Sequence, residues 1–396
     1  MRVWCLRFGT VPSANDSTRK KTRLVVGPLP GGPGYLAELA AVGRAAGLHS
    51  VGVCGVEPLA TARAAIESRI ADDLVNGMQF VFRNPERSTD PARTVEGARS
   101  IIVGLRAYDA GDHRDDGLAV PAHVARYAWQ DNVSALKESL DAVKVRLRHD
   151  GHRAVVFADD NSVVDRAVAH RAGLGWFGKN ANILVPGAGS LFVIGCIVTT
   201  ADLPAGTPMD DNCGTCTSCM PACPTGAIVS PGVIDANACL SWLLQKPGVF
   251  DRRHRAALGN RIYGCDDCQT SCPHVRRWSR TDGGETDVRT SLDALGLLNA
   301  DDEEVMRECD GWFVHDRNPV WIRRNALIIV GNTADPSDPR VRTTIGTYLQ
   351  HGHEVLRAHA VWAAARLGIP VDGVNHDTSE MVRDELAHLP TLRDDL

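Results

Sequence analysis

The sequence predicts a multidomain chain of α+β character, with a mixed α/β unit over 35–200, a compact cysteine-rich unit over 201–285 and a helical unit over 286–396, behind an N-terminal extension, 1–34. Three observations predict it. Helix and strand signals alternate from Tyr35 to Thr199, eight of the 12 cysteines fall between Cys213 and Cys272, and the C-terminal part carries an internal match at an offset of 34 residues. A length of 396 residues exceeds a usual single domain, and 44% hydrophobic with 23% charged residues is an ordinary globular composition.

Charge and hydropathy exclude some classes. A formal net charge of -5 rules out a globally basic nucleic-acid binder but leaves room for a local basic patch. No apolar run approaches the roughly 20 residues needed to span a bilayer; the longest, Leu191 to Val198, is strand-sized and broken by Gly195. Arg2, Arg7, Arg19, Lys20, Lys21 and Arg23 are mixed with polar residues and lack the continuous apolar core of a secretory signal. A flexible extension over 1–34, no membrane association and a cytoplasmic location are therefore expected.

Within the α/β unit, apolar spacing predicts helices over Tyr35 to Ala46, Pro58 to Asn76, Val133 to His149 and Ser162 to Ala172, and strands over Leu48 to Cys54, Ser100 to Ala107 and Arg153 to Ala158. Two apolar runs, Asn182 to Val185 and Ser190 to Thr199, flank the turn-prone Pro186-Gly187-Ala188-Gly189 and read as a hairpin. From about Ser291 the pattern becomes one of short helices. There Trp321 to Leu327 matches Val355 to Val361, which suggests two helical repeats of HEAT type leaning on the preceding unit.

The cysteines carry the strongest chemical signal. Cys213, Cys216, Cys219 and Cys223 followed by Pro224 have the full C-x2-C-x2-C-x3-C-P spacing of a bacterial ferredoxin, in which three thiolates bind one cubane and the fourth reaches a second. Cys265, Cys268 and Cys272 followed by Pro273 repeat the loop, with Ile262 where a first cysteine would stand. Cys239 supplies the eighth ligand. The count then closes as Cys213, Cys216, Cys219 and Cys272 on one [4Fe-4S] cluster and Cys223, Cys239, Cys265 and Cys268 on the other, giving a ferredoxin-like two-cluster unit. The alternative, a pair of four-cysteine zinc sites, does not call for the third cysteine or the Cys-Pro endings. Cys5, Cys54, Cys196 and Cys309 have no partner at ligand spacing and read as structural.

Three segments together resemble the epoxyqueuosine reductase family: Asp159 to Arg166 running into Arg171 to Asn180, the cysteine field, and Gly259 to Gln269. The resemblance runs from about Tyr35 to Arg366. It implies an oxidoreductase of tRNA queuosine modification in which the α/β unit holds cobalamin without a protein base on cobalt. Two [4Fe-4S] clusters would pass electrons to it from an external low-potential donor, and the helical unit would help dock a tRNA anticodon stem-loop. It further implies a monomer, Asp159 as proton donor, and cofactor contacts from Asp159, Asn182, Ile183, Leu184, Ser241, Cys265 and Asp266.

Several residues admit two readings. To donate a proton near neutral pH, Asp159 needs a raised pKa, for which Asp160 and Asp165 are candidate causes; alternatively Asp159 to Ser162 cap the helix that follows. Gly173, Gly175 and Gly178 leave room for backbone to approach a large flat cofactor, or make a tight helix-to-strand turn. Arg252, Arg253, Arg255, Arg261, Arg276, Arg277 and Arg280 against Asp266 and Asp267 give a local net of +5 that suits phosphate, and Arg323, Arg324, Arg340, Arg342 and Arg357 extend it; a solvated face is the alternative. Trp278, Trp312, Phe313 and Trp321 offer stacking surface or core. Two segments depart from the family pattern: Trp129 to Val133, where an Asp-Tyr-His element is usual, and the shortened stretch around Gly77 to Asn84. Other classes therefore stay open, a cobalamin-dependent reductase of a small molecule (reductive dehalogenase-like) or a non-catalytic ferredoxin-like electron carrier.

Overall fold

The computed structural model describes residues 31–108, 111–115, 117–278 and 288–392. Most of the expected N-terminal extension, together with Cys5 and Arg280, lies outside them. Its last residues do not: a helix begins at Gly32 and runs to Ala45.

Eleven strands follow in chain order: β1 (Ser50–Gly55), β2 (Ser100–Ala107), β3 (Pro121–Val124), β4 (Ala154–Ala158), β5 (Trp176–Phe177), β6 (Ile183–Leu184), β7 (Phe192–Thr199), β8 (Ile228–Ser230), β9 (Val233–Ile234), β10 (Arg261–Tyr263) and β11 (Ser291–Asp293). The main sheet has the order β1-β2-β7-β4, and all its neighbours run antiparallel. Alternation of helix and strand in the sequence thus yields a mixed fold whose helices connect antiparallel strands.

Both faces of this sheet are covered, which is why β2 and β7 read as near-continuous apolar runs. Leu39, Leu136, Leu140 and Val143 pack on Ile102 and Ile197 from one side. Val163 and Val168 pack on Ile101, Val103, Leu105 and Val198 from the other, where Cys54 and Cys196 fill space as small hydrophobes. The helix Asn132–His149 buries Leu136, Leu140, Val143 and Leu147 at helical spacing. Gly104 and Gly195 are cross-strand partners, and a Cβ on either would come within 2.8 Å of Leu140, so the glycine that interrupts the apolar run of β7 is a socket for this helix.

The departures near residue 130 have structural roles. Trp129 is buried and its Nε1 donates to Val124 O at 2.7 Å, while Asp131 caps the helix by accepting from Ser134 N at 2.9 Å. The expected hairpin is not formed as a pair of strands. β6 pairs instead with β5, and only a single bridge, Val185 to Gly189, closes the turn. The long strand β7 is occupied on both edges by β2 and β4, so β6 has no edge to join.

A second sheet, β10-β3-β11, draws one strand from each of the three expected units. The helices Val320–Thr333 and Glu354–Arg366, which carry the internal match, bury their apolar residues in one core with β3, β10 and β11. At matched positions they place Asn325 and His359, both fully buried. Asn325 Nδ2 donates to Leu244 O at 2.9 Å and Ile262 O at 3.2 Å. His359 donates from Nδ1 to Val355 O and accepts from Phe250 N at 3.2 Å, a neutral tautomer that burial favours by pushing its pKa well below the ordinary value.

Arg324 does the most. Its guanidinium donates to the carbonyls of Leu243, Leu244, Lys246 and Gly248 and is 1% exposed. An Arg324→Met variant keeps the length and removes every donor, leaving the carbonyls of Leu243, Lys246 and Gly248 without this partner, while Leu244 O keeps its bond from Asn325 Nδ2. It is expected to lose about 3 kcal/mol of stability, read as a lower midpoint of urea unfolding; an unchanged midpoint would mean that the loop is held by other contacts.

Candidate active site

The cysteine loops are short turns rather than strands. Cys216 N donates to Cys213 O at 3.1 Å, Cys223 N to Met220 O at 3.2 Å, and Ala227 N to the Cys223 sulfur at 3.2 Å. Cys213, Cys216, Cys219 and Cys272 come together around a cavity of ≈ 250 Å³ also lined by Lys179, Leu184, Ser218, His274 and Arg277. Cys239 and Cys268 lie near Cys223 and near each other. Cys265 follows β10, with its sulfur 3.2 Å from Asp267.

All eight thiols are free. Among the described residues no group of three His, Cys, Asp or Glu side chains converges as a single metal ion requires. An all-thiolate donor set around a space too wide for one ion fits a cluster better than zinc. Burial pushes the Cys239, Cys265 and Cys268 thiols up, so in the protein alone they hold their protons, which metal binding would displace.

Two adjacent residues tie both loops to the α/β unit. Lys179 Nζ donates to Gly214 O at 2.6 Å and Cys216 O at 2.9 Å. Asn180 Nδ2 donates to Cys268 O at 2.9 Å. On the far side, Asp266 accepts from Arg126 N at 2.9 Å and pairs with its guanidinium at 3.2 Å.

Asp159 stands at the end of β4, exposed, with φ at +53°, a conformation that a non-glycine residue adopts under local constraint. It does not cap a helix. The helix starts at Asp165 after Val164, with no side-chain cap, and Asp160 instead accepts from Ser162 N at 2.7 Å. The carboxyl with raised proton affinity is Asp165. Burial, with Asp159 and Asp160 nearby, pushes it well above the usual carboxylate range, and its Oδ1 is buried without a hydrogen-bond partner.

Tyr263 on β10 is close enough to Asp159 to interact electrostatically. Tyr127 lies 6.1 Å from it, ring centroid to centroid, and bonds to Ser241. The expected cofactor contacts thus divide. Asp159, Ser241, Cys265 and Asp266 lie around these tyrosines, whereas Leu184 borders the first cysteine cavity and Asn182 serves the turn before β6 by binding Gly178 and Asn180. Ile183 is buried in the core under the sheet.

The sequence reading passed over Tyr127 and Tyr263, although Tyr263 sits inside the segment Gly259 to Gln269, and it named Asp165 only as a neighbour that could raise Asp159. A tyrosine's role depends on what faces it, which spacing does not record. The glycines were ambiguous, and the structure decides for the turn. A Cβ on Gly173 would meet Thr207 O at 2.4 Å and one on Gly175 would meet Leu184 O at 2.3 Å, so the close approaches are to the chain's own backbone.

The arginine patch is largely neutralised. Arg252 and Arg255 pair with Glu385, Arg253 with Asp251, Arg261 with Asp267, Arg323 with Asp302, Arg340 with Asp338 and Arg357 with Asp377. Most of these acids lie outside the sequence window that was counted. Among the expected stacking residues, Trp312 lies flat on Tyr263 at 4.4 Å and Trp278 on Phe192 at 5.4 Å. Trp321 meets His353 edge-on.

Comparison with known proteins bears on the cysteine field and on the fold as a whole. Residues 212–275 match a 4Fe-4S double cluster binding domain. The chain is 33% identical to an epoxyqueuosine reductase of Xanthomonas campestris over 352 residues, 84% of this chain and 96% of that one, and 33% identical to that of Bacillus subtilis over 327 residues, 78% and 82%. A crystal structure of epoxyqueuosine reductase with a tRNA-Tyr epoxyqueuosine-modified stem loop superposes with a TM-score of 0.80 at 25% identity, covering 89% of this chain and 96% of that one. The Bacillus subtilis enzyme with its catalytic aspartate loop swung out of the active site gives 0.79 at 26% identity, covering 89% and 96%.

The half-buried Asp165, with its Oδ1 out of contact with water, sets a pH dependence. Its folded pKa lies above an unfolded value of about 3.9, so its contribution to stability is full below that pH and declines as pH rises through the folded value. Relative to Asp165→Asn, the wild-type protein should lose stability steadily above pH 4, by up to about 1.4 kcal/mol per pH unit, in unfolding midpoints taken from pH 5 to 9. Parallel curves for the two proteins would refute the assignment.

Proposed function

The chain belongs to the epoxyqueuosine reductase family, and from that premise we propose that it reduces the epoxide of epoxyqueuosine at the tRNA wobble position to queuosine. The observation that carries the reading is the nearness of a double-cluster cysteine field to Asp159 by way of β10: Cys265 and Tyr263 are two residues apart, and Tyr263 lies within electrostatic range of Asp159. Electron-carrying ligands and a proton-carrying carboxyl thus meet in one place.

Removing the epoxide oxygen as water consumes two electrons and two protons. Cobalamin, when bound, would supply the reducing metal centre. Asp159, exposed at a strand end, would deliver a proton to the departing oxygen, and Asp165 behind it would hold a further one in a site that disfavours the carboxylate. Tyr127, Ser241, Tyr263 and the Asp266–Arg126 pair would wall the cleft shared by cofactor and substrate, and Asn182, Ile183 and Leu184 would support the cofactor through the turn and buried strand β6 that they form.

In this reading Cys213, Cys216, Cys219 and Cys272 bind one cluster and Cys223, Cys239, Cys265 and Cys268 the other. The exposed Cys216 puts the first nearer solvent, where an external low-potential donor can reach it. Residues 35–200 hold cobalamin, 201–285 the clusters, and 286–396 form a HEAT-like platform for the anticodon stem-loop. The protein acts as a cytoplasmic monomer; consistently, no helix among the described residues is long and apolar enough to cross a membrane.

The test is anaerobic reconstitution with iron, sulfide and cobalamin, followed by incubation with an epoxyqueuosine stem-loop and a reductant, with the nucleoside scored by mass. Loss of one oxygen is expected. Corrinoid bound with the stem-loop unchanged would favour a small-molecule substrate, and no corrinoid binding would leave an electron carrier. An Asp159→Asn variant should retain the cluster absorption and slow turnover roughly 100- to 10,000-fold; full activity would remove Asp159 from the mechanism.

A further inference from the structure

Two loops far apart in sequence meet beside Tyr263. Phe80 touches Phe313 edge-on at 5.4 Å and Trp242 at 5.9 Å. Phe313 N donates to the Tyr263 hydroxyl oxygen at 2.9 Å, and Trp312 lies on the Tyr263 ring. Tyr263 in turn lies within electrostatic range of Asp159. An aromatic series therefore runs from the proposed proton donor to the surface, and its outermost ring, Phe313, is 40% exposed.

That exposure has no use in folding, because a phenyl ring in contact with water forgoes part of its burial free energy. Both loops are also held in unfavourable conformations: Phe80 has φ +22°, and Asp316 and Arg317 have φ +52° and +50°. The first loop is pinned to the segment after the cysteine turns, by Ala236 N to Leu74 O, Asn237 Nδ2 to Asp73 O, and Trp242 Nε1 to Asn76 O. Rigid anchoring of a strained aromatic display suits recognition. Arg83 and Arg317, one on each loop, are exposed, and neither guanidinium has an ion-pair partner among the described residues, unlike Arg252, Arg253, Arg255, Arg261, Arg323, Arg340 and Arg357 of the patch.

Resting on the reaction assigned above, we propose that Phe313, backed by Phe80, is a stacking shelf for one unpaired nucleobase of the RNA loop, the immediate neighbour of the nucleotide that reacts beside Asp159, with Arg83 and Arg317 contacting the flanking phosphates. Chemistry on one base of a loop requires drawing it out of its stack, and the neighbour that loses its partner is restacked on an aromatic side chain. The pairing of an open ring with free cations is how single-stranded nucleic acid is held. Phe80 belongs to the segment that departs from the family pattern, so the shelf is a feature of this chain's own sequence.

Binding of an anticodon stem-loop to the reconstituted holoenzyme, followed by fluorescence anisotropy, tests the proposal. Phe313→Ala should weaken binding roughly 10-fold and Phe313→Trp should restore it, both with unchanged cluster absorption and unfolding temperature. A stem-loop made abasic at one or the other neighbour of the wobble position should bind wild type about as weakly, and for one of the two the Phe313→Ala loss should vanish. Arg83→Gln and Arg317→Gln should each lower the salt slope by about 1. Unchanged affinity in Phe313→Ala, or an equal loss on both abasic loops, would overturn the shelf while leaving the reaction intact. A wild-type protein that binds no stem-loop would overturn the assigned reaction, and the shelf with it.

Discussion

The arrangement of the site depends on one buried guanidinium. Arg324 sits on the helix Val320–Thr333 and gathers the carbonyls of the loop Leu243 to Gly248, just after the turn carrying Cys239, Ser241 and Trp242. Its neighbour Asn325 reaches both that loop and Ile262 of β10, immediately before Tyr263 and Cys265. The loop after the turn and the strand β10 are thereby both held to one rigid helix. A fully buried charge is tolerated only when its donors are satisfied, and here backbone oxygens and the side-chain oxygen of Asn325 perform that service without a carboxylate. The C-terminal unit consequently acts on the cysteine field as a scaffold, whatever its further part in binding RNA.

From the opposite side Lys179 and Asn180 hold the loops of Cys216 and Cys268. The cysteine turns are therefore gripped between the α/β unit and the helices, and the sheet β10-β3-β11 threads through all three. Such a grip has a chemical consequence. Thiols raised by burial at Cys239, Cys265 and Cys268 stand with the rings of Tyr127 and Tyr263 where two units meet, and the raised carboxyl of Asp165 lies near Asp159, so that groups able to carry protons and electrons share a region of low polarity.

The positively charged side chains show how differently a count and a structure speak. The seven arginines between 252 and 280 suggest a phosphate-binding face, but Asp384 and Glu385, more than a hundred residues away, take up Arg252 and Arg255. These pairs fasten the last helix to the cysteine-bearing unit. Arg83 and Arg317, exposed and without an ion pair among the described residues, are isolated in sequence and attract no notice there, yet the loops that carry them meet at Phe80 and Phe313.

What the sequence by itself determined is whatever depends on local spacing. The C-x2-C-x2-C-x3-C-P turn is a few residues long, and its chemistry follows from that spacing alone. The same holds for β2, read to its exact limits because a strand covered on both faces must be apolar throughout, and for the helix Asn132–His149 with its single buried stripe. The tertiary structure alone decided the partners. It paired β6 with β5 rather than β7, closed Gly173 and Gly175 onto backbone, placed Asp165 rather than Asp159 in the dry position, and brought Phe80 to Phe313. Each of these turns on which surfaces meet across long stretches of chain, and desolvation, ion pairing and ring contact are properties of that meeting.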